Sequence, residues 1–97
     1  MKNEQSPDQP AQVTRARGDE EWECFYVDGK NVCENSSLDF YELAMHLKGR
    51  PCVLARSLCV KQEWLDGLGR FPDDEDSIPV DMILVDHFFR GEIEIAR

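Results

Sequence analysis

Histidine, phosphate-binding glycine loops and closely paired cysteines are all scarce or missing in this chain. There are only two histidines. His46 follows Glu42 by four residues, the spacing of a solvated pair on one helix face. His87 lies in Asp86-His87-Phe88-Phe89, and no nucleophile motif places Ser57 or Cys59 beside it. The four cysteines are separated by eight residues (Cys24 to Cys33) and six (Cys52 to Cys59), whereas structural zinc sites favour pairs two to four residues apart. Gly67-Leu68-Gly69-Arg70 has neither the third glycine nor the preceding strand of a dinucleotide loop. Asp73-Asp74-Glu75-Asp76 is consecutive, so its carboxylates diverge instead of meeting at the alternate positions of a calcium loop. No catalytic set, metal site or cofactor is expected, and the protein is expected to be non-enzymatic.

Long apolar runs are missing too. The opening MKNEQSPDQPAQVTRARGDE has no apolar core of a secretion signal, and nothing approaches the roughly 18 apolar residues of a membrane span. A cytoplasmic location is expected, or the host cytoplasm if the chain is phage-encoded. In that compartment the cysteines are expected as reduced thiols.

Basic charge is the remaining shortage. Eleven Lys and Arg stand against twenty Asp and Glu, for a net charge of −9 and a pI near 4.5. Phosphate backbones bind basic surfaces, so direct contact with nucleic acid is disfavoured. The acids gather in two places, Asp19-Glu20-Glu21 with Glu23, and Asp73-Asp74-Glu75-Asp76. Between them, residues 45–71 carry five basic side chains against two acidic ones, a local +3.

Residues 1–20, with Pro7 and Pro10 among polar side chains, offer no apolar periodicity and are expected to form a disordered tail. Residues 21–97 are expected to form one compact α+β domain with an N-terminal β-hairpin, two central helices and a C-terminal β-hairpin. The first hairpin is the strongest local signal. WECFYVDGKNVCE places two β-rich runs around Asp28-Gly29, a pair suited to a two-residue type I′ turn. That turn sets Tyr26 opposite Asn31, Phe25 opposite Val32 and Cys24 opposite Cys33, within reach of a disulfide.

A helix follows over about 38–48, with a serine cap at Ser36 or Ser37 and a stop at Gly49. Its apolar face is Phe40, Leu43, Ala44 and Leu47. CVLA after Pro51 suits either a helix or a short strand, with a lean to helix. Val60, Trp64, Leu65 and Leu68 then recur at helical spacing as core positions. Residues 71–79 form a loop whose carboxylates need water. VDMILV reads as a buried strand, although Pro79 ahead of it also suits a helix, and the alternating EIEIA closes the second hairpin.

These features point to a small acidic protein that binds and modulates, most specifically inhibits, a larger protein with a basic surface. A nuclease, helicase or other DNA-processing enzyme fits that description, with carboxylates mimicking DNA phosphates. The tail-plus-domain layout is shared by phage-encoded and accessory regulators. Trp22, Tyr26, Trp64 and Phe89 are the candidate anchors, and Asp19, Glu20, Glu21, Glu23 and Asp73, Asp74, Glu75, Asp76 the candidate steering charges. Two alternatives are a redox-responsive thiol protein using Cys24 and Cys33, and a DNA-binding helical hairpin over 38–68.

Overall fold

The computed structural model describes residues 10–19, 22–36 and 39–89. Its elements are β1 (Ala11–Arg17), β2 (Glu23–Val27), β3 (Lys30–Asn35), α1 (Phe40–Leu47), β4 (Cys52–Val60), α2 (Gln62–Leu68) and β5 (Ile83–Phe88), with short 3-10 turns at Glu75–Ser77 and Val80–Met82 before the last strand. The strands make one mixed sheet in the order β3-β2-β1-β4-β5, in which β1 and β4 are parallel and the other pairs antiparallel. The described residues form a small α+β fold with a five-stranded mixed sheet and two helices.

The central strand is the largest departure from expectation. Ala11–Arg17, expected in the disordered tail, lies between β2 and β4 and is buried on both faces. Ala11 and Val13 face one core, while Thr14 and Ala16 face the other way, and all four are buried. Small side chains suit a strand covered on both sides, and they also hide the apolar signal from a composition reading. Gly18 follows where α2 closes in, since a Cβ there would lie 2.3 Å from Gln62 Oε1. The domain therefore begins before residue 21; residues 1–9 and 20 lie outside the described set.

Asp28 (φ 52°) and Gly29 (φ 88°) both adopt positive φ, as the type I′ turn requires. The register begins as expected, with Val27 opposite Lys30 and Tyr26 opposite Asn31, but Val32 then bulges, so Phe25 faces Cys33 and Cys24 faces Glu34. Cys24 and Cys33 consequently belong to the cores on opposite faces of the sheet. The expected cross-strand cysteine pair does not form.

The stretch leaning to helix at Cys52–Val60 is instead the nine-residue strand β4. Thr14 pairs with Arg56 directly after Val13 pairs with Leu54, which leaves Ala55 as a bulge. Cys52 and Leu54 therefore face the α1 side, whereas Leu58 and Val60 face the α2 side. One bulge lets one strand serve both cores and erases the strict alternation that marks a strand. With β4 between α1 and α2, the helical hairpin needed for the DNA-binding alternative does not exist.

On the α1 side the core comprises Ala11, Val13, Phe25, Leu43 and Cys52. Asp39, not a serine, caps α1 by accepting the Glu42 N–H at 3.1 Å, and the helix ends at Lys48 in the left-handed region. Leu43 is its buried residue, Leu47 is half-buried, and Ala44, Tyr41 and Met45 face outward. Phe40 packs its ring 5.4 Å from that of Phe25 while staying partly exposed. On the opposite side Ala16, Cys24, Tyr26, Leu58, Val60, Leu65, Phe71 and Ile78 form the second core. Leu65 is the buried residue of α2, and Gly69 at φ 83° ends that helix by donating to the Leu65 carbonyl at 2.9 Å.

Residues 80–85, expected as a buried strand, split into a 3-10 turn and the start of β5. Among the described residues β5 is the edge strand of the sheet, and Leu84, Val85 and Phe88 on it are exposed. The return strand expected within 92–96 lies outside the described residues. No helix among the described residues is long and apolar enough to cross a membrane.

Candidate protein-docking site

The acidic loop is not the solvated excursion its composition suggests. Phe71 at one end is fully buried and Ile78 at the other nearly so, so the loop is pinned to the second core at both ends. Phe71 meets Tyr26 edge-on with ring centroids 6.5 Å apart, and the Tyr26 hydroxyl donates to the Pro72 carbonyl at 2.8 Å. The backbone then runs beside the β2–β3 turn. Asn31 N–H donates to Asp73 O at 2.8 Å, and Glu75 N–H to Gly29 O at 2.9 Å.

Glu34 braces this arrangement from β3. It accepts from Trp22 Nε1 at 3.1 Å, from Asn31 Nδ2 at 2.7 Å and from the Phe71 N–H at 3.4 Å. Arg56 braces it from β4. Its guanidinium bonds Glu75 at 2.7 Å and grips Asp86 through two bonds of 2.8 and 2.7 Å, while the Phe88 ring lies 4.8 Å away. Thr14 adds a hydroxyl bond to Glu75 at 2.9 Å. The bidentate bonds to Arg56 hold the Asp86 carboxyl below its ordinary value, and bonds to Asp86 and Glu75 push Arg56 higher still. Glu75 is thus a structural carboxylate that ties the loop to the sheet.

Between α2 and this pinned loop lies a cavity of about 340 Å³, lined by Trp64, Leu68, Arg70, Phe71, Pro72, Ser77 and Pro79. The helical spacing of Trp64 and Leu68 puts both on the same side, and Leu68 remains 51% exposed. Trp64 packs one side against the core and turns the other to the cavity. Arg70 stands at the mouth, bonded to Asp73 at 2.8 Å and 3.9 Å from Glu34. Asp73 is 79% exposed despite that pair, and Asp76 is exposed with no ion pair among the described residues.

The other predicted site residues scatter. Tyr26 is fully buried and is corrected from anchor to core. Trp22 is half-buried with its indole N–H committed to Glu34. Phe89 is half-buried, meets the His87 ring edge-on with centroids 4.3 Å apart and donates its N–H to the carbonyl of the bulged Ala55 at 2.9 Å. Asp74 pairs with Lys30. Glu23 is only 15% exposed and pairs with Arg15 at 2.9 Å. Asp19 is exposed, and Glu20 and Glu21 lie outside the described residues. Pro72, Pro79 and Ser77 line the cavity without having been expected there. The prolines flanking the acidic run were the available signal.

Many carboxylates are neutralised by the protein's own cations. Arg50 bonds Asp28 at 2.9 Å, and Glu23, Asp73, Asp74, Glu75 and Asp86 each hold an arginine or lysine. Such pairing weakens an extended phosphate-like field and leaves Asp76 as the loop's unpaired outward charge among the described residues, with Asp73 exposed but shared with Arg70.

No disulfide joins the four cysteines, and Cys24 and Cys52 are buried. Burial is the main cause that pushes the Cys24 and Cys33 thiols up, and Glu34 near Cys24 and Glu42 near Cys33 act in the same direction. A thiol held high is a poor nucleophile at neutral pH. Native protein at pH 7 is expected to leave Cys24 and Cys52 unmodified by a thiol reagent until it is denatured. Rapid labelling of Cys24, or a two-hydrogen mass loss linking it to Cys33, would contradict this arrangement.

Among the described residues no group of three or more His, Cys, Asp or Glu is placed to hold a metal ion. Comparison with known proteins finds no matching family model, no similar curated protein and no similar solved structure.

Proposed function

We propose that the protein is a non-enzymatic binding module that docks on a larger protein with a basic surface and modulates it, inhibition being the simplest outcome. One observation carries this reading: the apolar cavity of Trp64, Leu68, Phe71, Pro72 and Pro79 adjoins the exposed carboxylates of Asp73 and Asp76. A recessed apolar spot beside one sign of charge suits recognition in which burial supplies affinity and the field supplies rate and selectivity. Trp64 is the anchor on this reading, while Tyr26 and Glu75 hold the site in shape. A basic nucleic-acid groove on a nuclease or helicase is the narrowest partner surface that fits.

The redox alternative receives less support, because its two thiols lie on opposite sheet faces and are held protonated. The test begins with affinity capture from lysate of the probable host at two salt concentrations, followed by association kinetics with the purified partner. The Asp73→Asn/Asp76→Asn variant is expected to associate roughly three- to tenfold more slowly at low salt, with a flatter salt dependence and an unchanged unfolding midpoint. An unchanged rate and salt slope would remove the steering role.

A further inference from the structure

Resting on the docking reading above, we infer that the cavity between α2 and the 71–79 loop seats one aromatic or branched apolar side chain from a short partner segment that carries Lys or Arg close beside it. At about 340 Å³ this open cavity is at the small end of the roughly 300–1,000 Å³ typical of ligand clefts and cavities. It therefore suits one inserted side chain, not the stripe of a whole helix. Three of its lining residues are held in place by packing or hydrogen bonding. The Trp64 indole is packed on the core, Pro72 is held through its carbonyl by Tyr26, and Phe71 is fully buried. Such preorganised walls lose little entropy when an apolar group enters.

The charge requirement comes from the mouth. Arg70 is the one cation among the lining residues, and it is already bonded to Asp73 at 2.8 Å. Asp76 stands next to the lining residue Ser77 with no ion pair among the described residues. A cation beside the inserted group pairs with Asp76 and competes with Arg70 for Asp73. An acidic neighbour meets both carboxylates and is rejected. Arg70 thus sets the threshold, since it must share or release Asp73 when the segment binds.

The test uses fluorescein-labelled heptapeptides, Gly-Arg-Lys-X-Lys-Arg-Gly, in anisotropy titrations with the full chain. X is Phe, Leu or Ala, and a further peptide has Glu at every basic position. The Phe and Leu peptides are expected to bind about tenfold or more tightly than the Ala peptide, and the acidic peptide not at all. Leu68→Lys, at a half-exposed position where folding is not at stake, is expected to abolish the difference between Phe and Ala. Arg70→Gln is expected to strengthen binding severalfold by releasing Asp73, whereas Lys61→Gln, with the same change in net charge, leaves it unchanged.

Equal binding of the Phe and Ala peptides, or an intact preference in Leu68→Lys, overturns the inference. A panel that fails to bind while a captured protein partner still protects residues 62–79 also overturns it and leaves the docking reading standing. Failure of both removes the docking reading itself.

Discussion

Phe71→Ala is expected to cost about 3–5 kcal/mol of folding stability, the range for truncating a buried phenylalanine. Phe71 is fully buried, lies edge-on to Tyr26 and has its N–H bound by Glu34. Truncation leaves a void under the loop and loosens the Pro72 carbonyl that satisfies the Tyr26 hydroxyl. Domains of this size have total stabilities of roughly 5–15 kcal/mol, so the loss is a large fraction. Urea unfolding by circular dichroism measures it as a lowered midpoint. A loss under about 1 kcal/mol would mean that Phe71 is not a core residue and that the loop is not pinned as described.

Arg56→Leu is expected to cost about 2 kcal/mol. Removing one member of a buried ion pair costs roughly 3–5 kcal/mol, because the partner charge stays behind without compensation. The Arg56 and Glu75 side chains are only 18% and 13% exposed, but Asp86 is 30% exposed and recovers part of its hydration, which lowers the figure. The penalty depends on pH in a definite direction. Because Arg56 depresses the Asp86 carboxyl, the contribution is fully present above the ordinary value of 3.8 and is lost as pH falls through the lower folded value. The difference between wild type and Arg56→Leu should therefore be constant from neutral pH to about 4 and shrink below it. A penalty that grew in acid would show that the Arg56–Asp86 pair is not its source.

How much of this was legible in the sequence depended on whether a signal was local. Asp28-Gly29 specified its own turn because only a few residue pairs accept positive φ at both central positions. Gly69, at φ 83°, closes α2 through the same allowance for positive φ. Nothing local distinguished β1, a strand whose buried residues are Ala, Val and Thr and which acquires its meaning from being covered on both faces. The same limit applies at β4, where the Ala55 bulge breaks the alternation, and at Val32, where a one-residue slip takes Cys33 away from Cys24.

The candidate site followed the same division. Trp64 and the Asp73–Asp76 run were visible as an aromatic and a charge cluster. Glu75 was indistinguishable from its neighbours until Thr14 and Arg56, contributed by two other strands, were seen to bind it. Pairing across such sequence distances is set by topology, and topology here turns on the central strand that composition concealed.

On the docking reading a partner is held at the α2–loop cavity and not at exposed apolar residues elsewhere, such as Tyr41 and Met45 on α1 or Leu84, Val85 and Phe88 on β5. Hydrogen–deuterium exchange of the full chain, alone and in complex with its captured partner, compares these three places in one experiment. Protection concentrated in residues 62–79, with 40–47 and 83–88 exchanging as in the unbound protein, is the predicted result. Protection confined to α1 or β5, with 62–79 unchanged, would contradict it.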